Sequence, residues 1–316
     1  MSGHPDGPGL PLVIDTDTAA DDCFALLVGL LDPRADLRAI TMVAGNVGFD
    51  QQVENAFLTL ELAGRAGQVP VHRGARQPLV QPWISAEEVH GDGAGGLRRT
   101  GDDRPDAEPA QDALVRLAEQ HAGELTVVAI GPLTNLALAV RRDPAFASRV
   151  RELVVMGGSL NGRGNVTPAA EYNIHVDPEA AQIVLDAGFP SIRFVTWDPL
   201  SLQHAVFDAG RIERIRRLGT PLGDFFVRAN QASFDFDVAM GVGGSVHCDT
   251  LAVLLALDPA LAEVERRYDV AVELAGTHTR GATVFDWHAP RGGNATAIER
   301  IDGERLFEYV LRLLSR

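Results

Sequence analysis

The chain has 316 residues, and its content of 46% hydrophobic and 22% charged residues is typical of a folded globular protein rather than a disordered chain. Its formal net charge of −15, from 28 basic and 43 acidic side chains, argues against nucleic acid as a partner, because phosphate backbones carry the same sign of charge. All the basic side chains are arginine, which excludes reactions that require a lysine.

Strands and helices are predicted to alternate along the chain. Apolar, β-branched runs predict strands at residues 10–14, 37–44, 125–130, 153–156 and 192–196. Patterns with helical periodicity lie at residues 22–31, 51–63, 112–121, 133–141 and 178–187. This alternation predicts an α/β fold, with an open, mostly parallel (mixed) sheet flanked by helices on both faces. Segments 82–111, 157–176 and 229–246 are predicted to be long loops, which usually carry function.

One domain is predicted over residues 10–316, since no linker interrupts the chain, and residues 1–9 are predicted to be a mobile tail. The tail has neither the basic start nor the apolar core of a secretory signal. The longest apolar run, residues 24–31, is shorter than the roughly 20 residues of a membrane span, so no membrane partner is expected. Two cysteines, Cys23 and Cys248, form no disulfide framework and predict a cytoplasmic location.

Polar residues and glycines follow four of the predicted strands at the point where each strand ends. Asp15 and Asp17 follow the first strand, and Asn46 follows the second. Gly131 and Gly157 begin the turns after the third and fourth strands. Ligands of open α/β sheets bind outside the carboxyl ends of the strands, so these residues are predicted to share one cleft.

The densest polar motif is Asp15-Thr-Asp17-Thr-Ala-Ala-Asp21-Asp22. Four carboxylates within eight residues repel one another unless a cation or hydrogen-bond donors compensate them. One interpretation is an acidic turn that begins a helix, where backbone N–H groups tolerate negative charge. The alternative is a site for a hard, oxygen-seeking ion such as calcium or magnesium.

Two known families begin with a similar segment. A haloacid-dehalogenase-like phosphatase starts with Asp-x-Asp-x-Thr, but Thr18 falls one place early and the lysine that commonly holds the phosphoryl charge is absent. The segment more closely resembles the nucleoside hydrolase family (inosine-uridine preferring nucleoside N-ribohydrolase). Further motifs that resemble this family follow in order, at residues 43–46, 89–97, 130–135, 155–158, 164–181, 279–281 and 294. The resemblance implies a Rossmann-like nucleoside hydrolase fold.

The resemblance implies a calcium ion held by the carboxylates of Asp17, Asp22 and Asp249 and by the backbone carbonyl of Ile130. Asp17 would also act as general base on the attacking water. Asp15 would lie behind these ligands and orient them.

The resemblance also implies which side chains bind the ribose hydroxyls, and these are Asp21, Asn46, Asn165, Glu171, Asn173 and Asp249. Two further residues remain open on sequence grounds. Met156 is either a core residue or a sugar contact, and His90 is either an exposed loop residue or part of the site.

The sequence departs from the family at the group that protonates the leaving base. Well-studied members have His-Asp at the last calcium ligand, whereas this chain reads His247-Cys248-Asp249. Counting back from Leu257-Asp258-Pro259 aligns Asp249 with the ligand and Cys248 with the catalytic histidine. The acid is therefore Cys248, His247 or neither of them, and Cys248 alternatively only packs beside Asp249.

The predicted activity is calcium-dependent hydrolysis of ribonucleosides to ribose and free base, by a homodimer or homotetramer as the resemblance implies. The alternative from another class is a non-catalytic protein that binds nucleoside or ribose. Base preference is not predicted, although aromatic side chains are candidates for stacking on the base. These are Trp83, Tyr172, Trp197, Phe225, Phe226, Phe234 and Phe236.

Overall fold

A computed structural model describes residues 9–289 and 292–316, so the predicted tail lies outside the described residues except for Gly9. The strands are β1 (Leu10–Thr16), β2 (Ala35–Met42), β3 (Val71–Arg73), β4 (Thr126–Ala129), β5 (Glu152–Met156), β6 (Ile192–Val195), β7 (Val206–Phe207), β8 (Ser245–Val246), β9 (Ala262–Val272), β10 (Thr283–Asp286) and β11 (Ala295–Ile301). The helices are α1 (Asp21–Leu31), α2 (Phe49–Leu62), α3 (Glu87–His90), α4 (Ala110–Gln120), α5 (Thr134–Arg142), α6 (Phe146–Arg149), α7 (Tyr172–Val176), α8 (Pro178–Asp186), α9 (Leu200–His204), α10 (Ala209–Arg216), α11 (Pro221–Ala229), α12 (Gln231–Ala239), α13 (Cys248–Leu257) and α14 (Gly303–Leu314).

The central element is a nine-stranded sheet with the order β10-β9-β11-β6-β5-β4-β1-β2-β3 in the described part of the chain. Strands β1 to β6 run parallel to their neighbours, whereas β9 is antiparallel to both β10 and β11. The predicted open, mostly parallel mixed sheet is thus confirmed. Its first six strands have the order 3-2-1-4-5-6, which reverses direction between β1 and β4.

The sheet is covered on both faces because its central strands are apolar on both faces. Leu12 and Ile14 of β1 pack into a core with helices α1 and α13, while Val13 points to a second core with α5 and α8. All three side chains are fully buried. A strand that is buried on both faces reads as a continuous apolar run, which is why the sequence predicts it well.

The five predicted strands and five predicted helices are present, with ends that shift by a few residues. The predicted start of the helix at residue 178 is confirmed, since the Asp177 side chain accepts a hydrogen bond from the backbone of Ala180 (3.0 Å) and Pro178 is the first helical residue. None of the described helices is long and apolar enough to cross a bilayer.

The prediction of a loop at residues 229–246 is wrong, because α12 lies within this segment. Phe234 and Phe236 alternate with aspartates there, and this alternation hides the helical period. Tertiary contacts stabilise the helix instead: it packs against β8 and α3, and Asp237 accepts a hydrogen bond from the backbone of Val246 (3.2 Å). Segments 82–111 and 157–176 are mostly irregular, as predicted, and contain the short helices α3 and α7.

Candidate active site

The predicted cleft lies where the strand order reverses. The end of β1 is adjacent to the end of β4, and the backbone N–H of Ile130 donates to the carbonyl of Asp15 (2.8 Å). Asp17 follows β1 directly. Strand β2 lies on the side of β1 opposite β4, and Asn46 comes after β2. The parallel strands therefore bring together side chains from separate parts of the sequence.

A strained turn joins β1 to α1. Ala20 has a φ of 43°, which is uncommon for a residue with a Cβ, and its N–H donates to the carbonyl of Gly93 (2.7 Å). Asp21 and Asp22 then begin α1, as predicted. The turn places three carboxylates at the same end of the sheet.

Asp17 is completely buried between two glycines. Its Oδ2 accepts the backbone N–H of Asn46 (2.9 Å), whereas its Oδ1 has no hydrogen-bond partner among the described residues. A Cβ on Gly45 would lie 1.9 Å from Oδ2, and a Cβ on Gly131 would lie 2.8 Å from Oδ1. Both glycines are thus required for Asp17 to occupy its position.

Asp22 is held by three donors. Thr16 Oγ1 (2.7 Å) donates to its Oδ1, while Asn46 Nδ2 (3.0 Å) and the backbone N–H of Ala19 (3.2 Å) donate to its Oδ2. Burial nevertheless raises the pKa of Asp22 to about 7. Asn46 contacts both Asp17 and Asp22, so it orients these carboxylates in addition to lining the cleft.

Burial raises the pKa of Asp17 and Asp249, and neighbouring carboxylates raise it further. Burial, and then the charge of Asp22, hold the pKa of Asp17 well above its usual range. Burial also raises the pKa of Asp249 strongly, and Asp22, Asp21 and Asp17 raise it further. A divalent cation bound through oxygen removes this repulsion, and the unpartnered Oδ1 of Asp17 fits such an ion.

One group of potential metal-ligand atoms at this cleft differs from the predicted trio. Among the described residues, ligand atoms of Asp21, Cys248 and Asp249 all lie within 4.8 Å of one another. Asp21 is drawn toward α13 because it accepts the backbone N–H groups of Asp249 (2.7 Å) and Thr250 (3.3 Å). The carbonyl of Ile130 accepts from Asn173 Nδ2 (3.2 Å) and retains a second lone pair.

The loop after β5 contributes the predicted sugar-binding side chains. Glu171 caps α7 by accepting the backbone N–H of Asn173 (2.9 Å), and it also accepts that of Gly158 (2.9 Å). Burial raises the pKa of Glu171 to about 7. Asn165 is exposed at the rim and accepts the backbone N–H of Tyr172 (2.8 Å). These hydrogen bonds fix a loop that has no regular structure.

A cavity of about 290 Å³ opens above these groups, close to the size of a small-molecule site. The predicted residues that line it are Asp21, Asn46, His90, Ile130, Met156, Asn165, Glu171, Asn173, Cys248 and Asp249. Met156 thus lies at the site, and Asn173 Nδ2 is 3.2 Å from its sulfur. The predicted residues that do not line the cavity are Asp15, Asp17, Asp22 and His247.

The remaining wall of the cavity is largely apolar. Of the aromatic candidates, Tyr172, Trp197 and Phe236 line it. The others do not, and these are Trp83, Phe225, Phe226 and Phe234. Several apolar residues that the sequence analysis missed also line it, namely Ile84, Val89, Met240, Val242 and Val246. An apolar wall opposite a polar floor suits a ligand with one flat ring and one hydroxylated part.

His90 and Cys248 both line the cavity, and burial shifts the pKa of both side chains. Burial lowers the pKa of His90 to about 4, and its Nδ1 lies 3.2 Å from Ser233 Oγ. Burial and Asp249 raise the pKa of the Cys248 thiol well above its usual range. Cys248 Sγ lies 3.9 Å from Asp249 Oδ1.

Asp15 lies below the site. Among the described residues, no hydrogen bond joins its side chain to a side chain that is predicted to bind the metal. Its Oδ1 accepts from Thr41 Oγ1 (2.5 Å) and Asn135 Nδ2 (2.8 Å), and burial raises the pKa of Asp15 to about 7. Thr41 and Asn135 are separated from Asp15 by 26 and 120 positions, so no local motif reveals this network. The motif around Asn135 suggests only a structural residue near the start of a helix.

A second cleft of about 600 Å³ lies away from these candidates. Its arginines pair with carboxylates, and the pairs are Arg34–Asp32, Arg151–Glu152 and Arg193–Glu265. These pairs compensate the positive charge of the arginines that line this cleft.

Comparison with known proteins identifies the family. Residues 12–308 match the sequence pattern of the inosine-uridine preferring nucleoside hydrolases. The chain is 34% identical to the pyrimidine-specific ribonucleoside hydrolase RihA of Enterobacter sp. (strain 638), over 96% of this chain and 99% of that protein. A plant nucleoside hydrolase, PpNRh1, has a similar structure, with a TM-score of 0.89 and 32% identity over 98% of this chain and 99% of that chain. A purine-preferring ribonucleoside hydrolase from Gardnerella vaginalis also gives a TM-score of 0.89, at 27% identity over 96% and 98% of the two chains. The chain therefore belongs to the inosine-uridine preferring nucleoside hydrolase family, and it is a nucleoside N-ribohydrolase, a hydrolase of the glycosidase type.

Proposed function

We propose that the chain cleaves ribonucleosides to ribose and free base in a calcium-dependent reaction at the cleft between β1 and β4. The observation that carries the metal requirement is Oδ1 of Asp17, a buried carboxylate oxygen without a hydrogen-bond partner among the described residues. Asp17, Asp22, Asp249 and the carbonyl of Ile130 would hold the ion. Calcium, when bound there, neutralises the carboxylates and polarises the water and the ribose diol.

In this proposal, the side chains of the cleft perform three tasks. Asp17 takes a proton from the attacking water and so acts as the general base. Asp21, Asn173 and Glu171 hold the ribose hydroxyls. The negative charge of the cluster stabilises the positive charge that develops on the sugar ring as the C–N bond breaks.

The departure of the base is the least conventional part of the proposed reaction. We assign Cys248 to the position that a catalytic histidine occupies in other family members, which rests on the alignment of Asp249 with the last calcium ligand. A thiol with a raised pKa is a weaker acid than an imidazolium. The apolar wall around Trp197 and Phe236 supplies a surface for the base.

Two properties remain predictions, one implied by the family resemblance and one by the cysteines. A homodimer or homotetramer is expected, and light scattering on the purified protein measures it. A cytoplasmic location is expected from the absence of a disulfide framework, since Cys23 and Cys248 are both free.

Calcium is expected to raise the melting temperature of the protein by several degrees. An ion at about 100 times its dissociation constant adds about 2.7 kcal/mol to the free energy of unfolding, because it binds only the folded chain. Thermal melts with calcium, magnesium or a chelator measure this effect. The Asp249→Asn variant should lose the calcium-dependent shift. Identical melting temperatures for the wild type with calcium and with chelator would contradict a calcium site.

Removal of the 2′-hydroxyl is expected to lower kcat/KM by about 100-fold or more, because the carboxylates and amides that bind the diol are left unpaired. The measurement compares uridine with 2′-deoxyuridine under identical calcium concentrations. Uridine 5′-monophosphate should also react poorly, since its phosphate enters an acidic cavity. Equal kcat/KM for uridine and 2′-deoxyuridine would show that these groups do not select the ribose.

A further inference from the structure

His247 is a buried residue beside the active site that the proposed reaction does not use. It is 0% exposed, and its ring lies against Phe207 and Phe226, at centroid distances of 4.3 and 4.9 Å. Its Nδ1 lies 3.1 Å from Asp21 Oδ1, and its Nε2 lies 2.9 Å from Ser245 Oγ. Both ring nitrogens therefore have partners, and neither faces the cavity.

The carboxylate of Asp21 is the point where α1 and α13 meet. In addition to His247, it accepts the Thr250 hydroxyl (2.5 Å) and the backbone N–H groups of Asp249 (2.7 Å) and Thr250 (3.3 Å). Asp21 begins α1, whereas its donors lie 226 to 229 positions later, at the start of α13. Asp21 thus connects the start of α1 to the start of α13, directly beside Asp249.

The hydrogen bonds also determine the tautomer of His247. A carboxylate oxygen can only accept, so the proton is on Nδ1 and donates to Asp21. On the other side of the ring, Nε2 is hydrogen-bonded to the Ser245 hydroxyl (2.9 Å), so both nitrogens are held. Residues that orient a ligand-binding carboxylate in this way affect activity without contacting the substrate.

We propose that His247 is a positioning residue that holds Asp21, and through it the start of α13, in the geometry that binds the ribose. This inference rests on the proposed function of the cleft. It removes His247 as a candidate for the acid that protonates the base, because a buried ring with both nitrogens bonded cannot reach a ligand in the cavity.

The test compares His247→Leu, which removes the donor, with His247→Asn, whose amide can donate from nearly the position of Nδ1. Ser245→Ala is a milder variant that frees only Nε2. His72→Leu is the matched control, since His72 is also buried but lies away from the cavity. Melting temperatures and circular dichroism report the folded fraction of each variant, and all rates are expressed per folded enzyme.

The kinetic readout uses inosine, whose base needs a proton to leave, and p-nitrophenyl riboside, whose nitrophenolate does not. For His247→Leu we expect kcat/KM to fall by about 10- to 100-fold on both substrates alike. His247→Asn should recover most of this loss. The kcat/KM of Ser245→Ala should lie between the values of His247→Leu and His247→Asn. In an Asp21→Ala background, the added His247→Leu substitution should lower kcat/KM little further, because Asp21, the residue through which His247 acts, is already absent.

Three outcomes would overturn the inference. Loss on inosine alone would identify His247 as an acid. If His247→Leu has unchanged rates per folded enzyme, or loses no more activity than His72→Leu, His247 has only a structural role. If the fold-losses in kcat/KM of His247→Leu and Asp21→Ala multiply in the double variant, the two residues act independently. A wild-type protein that cleaves neither substrate would instead contradict the proposed function, so the two failures are distinguishable.

Discussion

Replacement of Asp17 by alanine is expected to lower kcat/KM on ribonucleosides by about 1,000-fold or more, because one carboxylate acts both as metal ligand and as general base. The side chain is fully buried, and its Oδ1 has no hydrogen-bond partner among the described residues. Burial, and then the charge of Asp22, raises its pKa. Asp17→Asn keeps the shape but removes the charge and the ability to take a proton. It should therefore be almost as inactive as the alanine variant.

Steady-state rates at saturating calcium measure the Asp17 effect. Asp186→Ala is a suitable control, because Asp186 is exposed at the end of α8 and does not line the cavity. We expect the control to retain wild-type rates. An Asp17→Asn variant with wild-type kcat/KM would show that another group activates the water.

Replacement of Gly45 by alanine is expected to abolish most of the activity although the added group is a single methyl. The new Cβ would lie 1.9 Å from Oδ2 and 2.6 Å from Cγ of Asp17, far inside van der Waals contact. Gly131 closes the opposite side, so Asp17 cannot move away without displacing a second strand end. A displacement of about 1 Å at a reacting group can cost about 100-fold in rate.

Gly48→Ala provides the matched control for Gly45→Ala. It lies in the same turn, and the nearest atom to its added Cβ is Glu87 Oε1 at an ordinary 3.7 Å. We expect Gly48→Ala to keep both its activity and its calcium-dependent thermal shift, while Gly45→Ala loses both. Wild-type activity in Gly45→Ala would mean that Asp17 is not confined as the structure describes.

The fold and the floor of the site were predictable because their signals are local. Residues 12–14 of β1 are apolar and buried on both faces of the sheet, and Asp17 and Asp22 follow the strand within a few residues. Since parallel strands end at the same edge of the sheet, Asn46 and Gly131 could be assigned to the same cleft from their positions alone. In the structure, β1 pairs with both β2 and β4, so the ends of these three strands are adjacent.

The supporting interactions could not be predicted, because they join distant parts of the chain. Adjacent residues such as His247 and Cys248 give no indication of which one faces a cavity. That depends on where α13 begins and on its contact with Asp21, more than 200 positions earlier. Helix α12 was likewise missed, since contacts with β8 and α3 override its weak local pattern.

The most direct measurement is the conversion of ribonucleosides by the purified protein, with free base followed by chromatography and ribose by its reducing end. Uridine and inosine should be tested with calcium, with a chelator, and with calcium restored after chelation. We expect base and ribose to appear in equal amounts, to cease with the chelator and to recover with calcium, and the Asp17→Ala variant to yield neither product. Calorimetric binding of nucleosides without release of base would identify a non-catalytic binding protein, and full turnover in the chelator would contradict the calcium requirement.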